Sequence, residues 1–147
     1  MADKQAHSLD ERLAALAAFG PVFRSPGFQF AETVPSRVKD GVITLGWSNF
    51  GPEATKLLKT VYEFGWVKDF DWGAWVGSPE GQRLLNEPGA LSKATVAQLE
   101  KVITARFRAD RFVEGSLVAD FEHGLLIRIV ERAEALQNKP SQTGRSK

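Results

Sequence analysis

The chain contains no cysteine in its 147 residues, which excludes a disulfide framework, a thiol nucleophile and a Cys-type zinc site. Histidine is almost as scarce. His7 and His123 stand in separate segments, and neither belongs to an H-E-x-x-H or comparable ligand spacing, so no metal is expected. A phosphate-binding G-x-x-x-x-G-K-[ST], a dinucleotide-binding G-x-G-x-x-G and a G-x-S-x-G elbow are all missing, so no cofactor is expected. Charge of one sign is lacking too. The 19 Lys and Arg and 18 Asp and Glu are interspersed and leave a net charge of +1, which gives no argument for non-specific binding to nucleic acid or to a membrane surface. No apolar run approaches the roughly 20 residues of a membrane span, and the polar start, Met1 to His7, has no signal-peptide core. A cytoplasmic protein with no membrane association is expected.

At 43% hydrophobic residues the chain has enough apolar material for one core of ordinary size. One segment departs from local rules. From Thr104 to Gly115 it carries Arg106, Arg108, Asp110, Arg111 and Glu114 together with Phe107 and Phe112. A helix starting near Ser92 or Thr95 puts Val96, Leu99, Val102, Ile103 and Phe107 on one apolar arc, with Lys101, Thr104 and Arg108 opposite. Arg106 and Asp110 fall inside the apolar arc, one turn apart. Buried charge demands a partner, so they read as a semi-buried pair, with Arg111 and Glu114 as a second pair. The alternative is a ligand-facing cluster.

Along the rest of the chain, Ser8 and Glu11 form a capping box for a first helix carrying Leu9, Leu13, Leu16 and Ala17, which Gly20-Pro21 stops. From Pro21 to Gly51 turn residues are dense and apolar residues alternate, so helix is not expected there. Phe28 and Phe30 mark one strand and Ile43, Leu45 and Trp47 another, with turn residues from Pro35 to Gly41. An isolated hairpin is marginal in water, so this one is expected to pack on its own helices, the alternative being a docking arm. Asn49 or Gly51, Pro52 and Glu53 begin a helix that Gly65 ends. The stretch from Trp66 to Trp75 gathers three tryptophans around Asp69 and Asp71. Its functional reading is a stacking pocket; its plainer reading is Asp71 capping a short helix whose Phe70, Trp72 and Trp75 fill the core. Ser78-Pro79-Glu80 opens another helix that ends before Pro88. A turn with Leu117, Val118 and Phe121 then leads past Gly124 to a closing helix that buries Leu125, Leu126, Ile129, Val130, Ala133 and Leu136 and leaves Arg128, Glu131, Arg132 and Glu134 solvated.

The run Arg108, Asp110, Arg111, Phe112, Glu114, Gly115, followed by Leu117, Phe121, Glu122, Gly124 and an amphipathic helix, resembles domain-of-unknown-function family 6508 (DUF6508). The resemblance spans roughly Pro52 to Leu136, including the aromatic turn from Tyr62 to Trp75. It implies a small bacterial or phage-borne domain and brings no catalytic residues with it. The expected fold is α+β and mostly helical, with about five or six helices and one short antiparallel β-hairpin. Residues 1–137 form a single domain, with a hairpin region near 21–50 and a helical region near 52–137, and 138–147 is a disordered basic tail.

The leading functional expectation is a non-catalytic protein-interaction module, leaning away from an enzyme, with an unidentified protein partner or a homodimer. Its binding residues are Arg106, Arg108, Asp110, Arg111, Phe112, Glu114, Trp66, Asp71 and Trp72. One alternative is an enzyme or binder for an anionic small molecule or nucleotide through Arg108, Asp110, Arg111 and Glu114, with tryptophan as a wall; Asp120, Glu122 and His123 are further candidates beside those arginines. A second alternative is nucleic-acid binding through Lys101, Arg108, Arg111, Arg128 and the tail.

Overall fold

The computed structural model describes residues 7–111 and 116–138. In chain order its elements are α1 (Leu9–Ala17), α2 (Phe19–Phe23), β1 (Ala31–Val34), β2 (Arg37–Lys39), β3 (Val42–Thr44), β4 (Trp47–Phe50), α3 (Pro52–Glu63), α4 (Trp72–Val76), α5 (Pro79–Asn86), α6 (Pro88–Leu91), α7 (Val96–Ala109), α8 (Ser116–Glu122) and α9 (Leu125–Asn138). The mostly helical α+β class is as expected, but the helices exceed five or six. Prolines explain the difference. Pro21, read as a stop, lies in the first turn of α2, and Pro88 opens α6; in a first turn the missing N–H has no partner to lose. The tail lies outside the described residues, and Asn138 still belongs to α9.

Helix starts follow the sequence closely. The Ser8 hydroxyl accepts from the Glu11 amide at 3.1 Å while the Glu11 carboxylate accepts from the Ser8 amide at 2.9 Å. Gly51 caps α3 with Pro52 in its first turn, and Gly65, at φ 72°, ends it. Thr95 and Gln98 form a second capping box at α7. α9 lies along α1 and also meets α2, α6 and α8, burying Leu125, Leu126, Ile129, Val130 and Ala133. Two of its expected solvated residues are engaged instead. Glu134 takes both guanidinium nitrogens of Arg24 at 2.9 Å, and Arg132 Nε donates to the Ala94 carbonyl at 2.8 Å. α7 is buried on more than one arc, because Thr104 and Ala105, as well as Leu99, Val102 and Ile103, are fully enclosed. Thr104 therefore does not face solvent. Its hydroxyl accepts from the Lys68 amide at 2.8 Å and donates to the Trp66 carbonyl at 3.4 Å.

The strands form one ribbon rather than a sheet. β1 pairs antiparallel with β4 from Ala31↔Phe50 to Val34↔Trp47, and β2 with β3 from Arg37↔Thr44 to Lys39↔Val42. Both pairings keep the same register across the interruption at Pro35 and Gly46. The tip is Asp40-Gly41, with φ of 54° and 79°, the left-handed pair that a two-residue hairpin turn requires. The turn is thus shorter than expected, and Arg37–Lys39 is strand. Phe28 and Phe30 precede β1 instead of belonging to it. Only the root of the ribbon packs: Phe30 stacks on Phe121 of α8 at 4.8 Å between centroids, meets Phe23 and Phe50 edge-on, and Phe28 also touches Phe121. Residues 35–46 are exposed without exception. The expectation that the hairpin packs on its own helices holds for this root and fails for the outer half, whose residues 35–46 are exposed.

Arg12 joins four parts of this fold. From α1 it donates to the Phe64 carbonyl at 2.8 Å and the Gly65 carbonyl at 3.0 Å, pairs with Glu100 of α7, and lies 4.4 Å from the centre of the Trp66 ring. Removing one side of such an enclosed charge network costs about 3 kcal/mol. Arg12→Ala is expected to lose that much stability in urea unfolding, whereas Leu9→Ala on the exposed side of α1 stays within about 0.5 kcal/mol of wild type.

Candidate functional site

The end of α7 determines what the charged segment becomes. The helix stops at Ala109, and Asp110 is its C-cap. Asp110 stays one turn above Arg106, its amide donating to the Arg106 carbonyl at 3.3 Å, but its carboxylate accepts from the Leu117 amide at 3.0 Å and caps the first turn of α8. Arg106 pairs with Asp120 of α8, in place of the expected Asp110. Nε and Nη2 of Arg106 meet the two Asp120 oxygens at 2.8 and 2.9 Å, and Nη2 also reaches the Ser116 hydroxyl at 3.4 Å. This two-pronged geometry holds α8 against α7. Asp120 is one of the buried polar residues, and the pair supplies its counter-charge.

The neighbouring residues disperse. Arg108 is half-buried on α7. Arg111 is exposed, with its guanidinium 5.6 Å from the centre of the Tyr62 ring, a cation–π distance. Phe112 and Glu114, and with them the expected Arg111–Glu114 pair, lie outside the described residues. Trp66 is fully buried, its indole N–H donating to the Arg12 carbonyl at 3.2 Å. Asp71 caps α4 by accepting from the Ala74 amide at 3.2 Å. Trp72 is half-buried against the core, and Phe70 and Trp75 pack there edge to face. The plainer reading of the tryptophan segment thus describes its structure.

The two segments meet through Thr104, but their side chains do not converge. Beside Arg106 and Asp120 opens a cleft of about 380 Å³ that also takes lining from Gln82, His123 and Arg128 and none from Trp66, Asp71 or Trp72. Among the described residues no group of three or more His, Asp or Glu is placed to hold a metal ion, and no helix is long and apolar enough to cross a membrane. The docking-arm alternative for the hairpin rests on its outer half. Val38, Val42, Ile43 and Leu45 are 70, 63, 66 and 74% exposed. Alternation had marked Ile43 and Leu45; the missing information was which part of the ribbon a helix covers.

A family model described as a family of unknown function, DUF6508, matches residues 8–139. The chain belongs to that family. The match takes in the hairpin half of the DUF6508 domain as well as the stretch from Pro52 to Leu136 that resembles the family most visibly. Comparison with curated proteins and with solved structures gives no match.

Two expectations follow from the charged groups of this DUF6508 domain. Asp120→Ala strands a half-buried guanidinium and is expected to cost about 3 kcal/mol, while the double variant Arg106→Met/Asp120→Leu recovers most of that loss. A double-mutant cycle in urea reads the difference. Glu80 is the second: its carboxylate accepts from Gln98 Nε2 at 2.9 Å and from the Trp75 indole at 2.7 Å, with Lys101 at 3.5 Å. The Gln98 bond first, then the Trp75 bond and the lysine, hold its pKa below the ordinary glutamate value. A lowered folded pKa gives stability that is present above the unfolded value, about 4.3, and lost as pH falls through the folded one. Thermal melts of wild type are therefore expected to drop more steeply below that pH than those of Glu80→Gln.

Proposed function

We propose that the domain is a non-catalytic interaction module that docks a protein partner with the outer half of its hairpin. The observation that carries this reading is the exposure of Val38, Val42, Ile43 and Leu45 on a ribbon whose root alone is packed. Exposed apolar side chains gathered on one element are a common mark of an interaction surface. Val38 and Ile43 stand directly opposite each other, so they share one face, while the Arg37↔Thr44 and Lys39↔Val42 pairs share the other. One side of the ribbon carries Val38 and Ile43, and the other carries Arg37 and Lys39 with Thr44 and Val42. The ribbon fits a protein carrying an apolar groove with carboxylates along its rim, and the outer edges of β2 and β3 leave backbone groups for strand addition.

The charged cluster that sequence reading assigned to this role is less available. Arg106 is engaged by Asp120, and Asp110 by the Leu117 amide. Among the described residues the arm carries four of the six large exposed hydrophobic side chains, the others being Leu9 and Tyr62.

Val38→Thr/Ile43→Thr keeps strand-forming residues and removes the apolar face. Both positions are exposed, so folding stability is expected to stay within about 0.5 kcal/mol of wild type. A protein retained from native lysate by wild type should be lost by this variant, be retained by Arg108→Ala/Arg111→Ala, and bind more weakly as salt rises. Equal retention by the arm variant would overturn the reading. Sedimentation of wild type as a dimer that the arm variant dissociates would place a second copy, not a foreign protein, on the ribbon.

A further inference from the structure

The cleft beside the Arg106–Asp120 pair holds a positive charge that the protein does not answer. Arg106 and Asp120 cancel across their two hydrogen bonds. Arg128, in the first turn of α9, lines the same cleft and, with Glu131, a second one beside it; among the described residues it makes no ion pair. Its Nε is buried and makes no hydrogen bond, and its Nη1 reaches only the His123 carbonyl, at 3.4 Å. A buried guanidinium N–H without an acceptor is costly in a folded protein.

The surroundings shape the cleft for an anion. Gly124 precedes α9 at φ 86°, and a Cβ there would stand 3.1 Å from Arg128 Nη1, so glycine both makes the turn and leaves room for the guanidinium above it. The cleft lies at the N-terminal end of the 14-residue α9, where unpaired backbone amides add positive potential. Gln82 and Asn86 line it from α5, with Gln82 Nε2 donating to the Val76 carbonyl and Asn86 Nδ2 to Gln82 Oε1, while Val76, Leu85 and Leu125 supply an apolar wall.

We propose that this cleft binds a small oxyanion, the phosphate or carboxylate group of an organic molecule, on the Arg128 guanidinium. The volume of about 380 Å³ accommodates such a head group with a short apolar body against the wall. The site is separate from the hairpin and does not depend on its role.

The test is a ¹H–¹⁵N NMR titration with inorganic phosphate, and separately with benzoate, against sodium chloride at matched ionic strength. Wild type is expected to show saturable shifts at the Arg128 Nε–H and the backbone amides of Gly124 and Leu125. Arg128→Gln should weaken binding at least tenfold, Arg128→Lys less, and Arg108→Gln, on another face, not at all. Tighter binding of phosphate or of benzoate identifies which head group the site prefers. If Arg128→Gln does not fold, the wild-type melting temperature decides: phosphate or benzoate should raise it above the chloride control. Shifts that grow linearly with anion, that persist in a folded Arg128→Gln, or that chloride reproduces would overturn the proposal, as would an unchanged melting temperature.

Discussion

The fold depends on one arginine placed at the end of a neighbouring helix. α3 ends at Gly65 with carbonyls that no further turn can satisfy. Arg12 reaches across from α1 and takes two of them, those of Phe64 and Gly65, while its own carbonyl receives the Trp66 indole N–H. The charge is balanced by Glu100 of α7, and the guanidinium plane covers the Trp66 ring. A single side chain thereby joins α1, the end of α3, the buried tryptophan and α7. The following residues inherit that position: with Trp66 fixed, its carbonyl and the Lys68 amide meet the Thr104 hydroxyl. That contact explains why α7 is enclosed on a face where its sequence places a threonine.

Once α7 is held, α8 and the hairpin follow. The Arg106–Asp120 pair and the Asp110 cap attach α8 to the end of α7, and α8 carries Phe121, on which Phe30 stacks. The aromatic cluster of Phe23, Phe28, Phe30 and Phe121 anchors the ribbon only at its root. Beyond Val34 and Trp47 the ribbon is exposed, so its alternating apolar residues, which normally mark a half-buried strand, mark an uncovered one.

This history separates what was legible in the sequence from what was not. Ser8 with Glu11, Gly51 with Pro52, Asp71, and Ser78 with Pro79 announced helix starts correctly, because capping is decided within about four residues. The buried leucines and valines of α3 and α9 were equally legible from their spacing. Prolines misled where they began a helix, as Pro21 and Pro88 do. Arg106 is legible as an inward charge that needs a carboxylate, but its partner is not: the Asp110 carboxylate is taken by the Leu117 amide, and Asp120 comes from a helix that no local spacing links to α7. Asp120, Arg12 and Glu100 owe their roles to contacts between distant segments, and no local spacing encodes those.

The same contrast bears on function. A dense cluster of arginines and carboxylates attracts attention as a candidate site, but three of its described members make contacts within the chain: Asp110 caps α8, Arg106 clamps Asp120, and Arg111 lies beside the Tyr62 ring. Charges that have found partners inside the chain have little left to offer a ligand. The groups that remain are those whose needs the fold leaves unmet, and they are inconspicuous in sequence. Four aliphatic side chains on an uncovered ribbon retain their full hydration cost. The Nε of Arg128, an arginine that a helical wheel would assign to solvent, is buried without an acceptor. In a domain without a metal-ligand cluster among its described residues or a catalytic motif, unmet apolar area and unmet hydrogen-bonding capacity are the physical quantities that point outward. They lie in two places, the outer half of the hairpin and the α8–α9 turn.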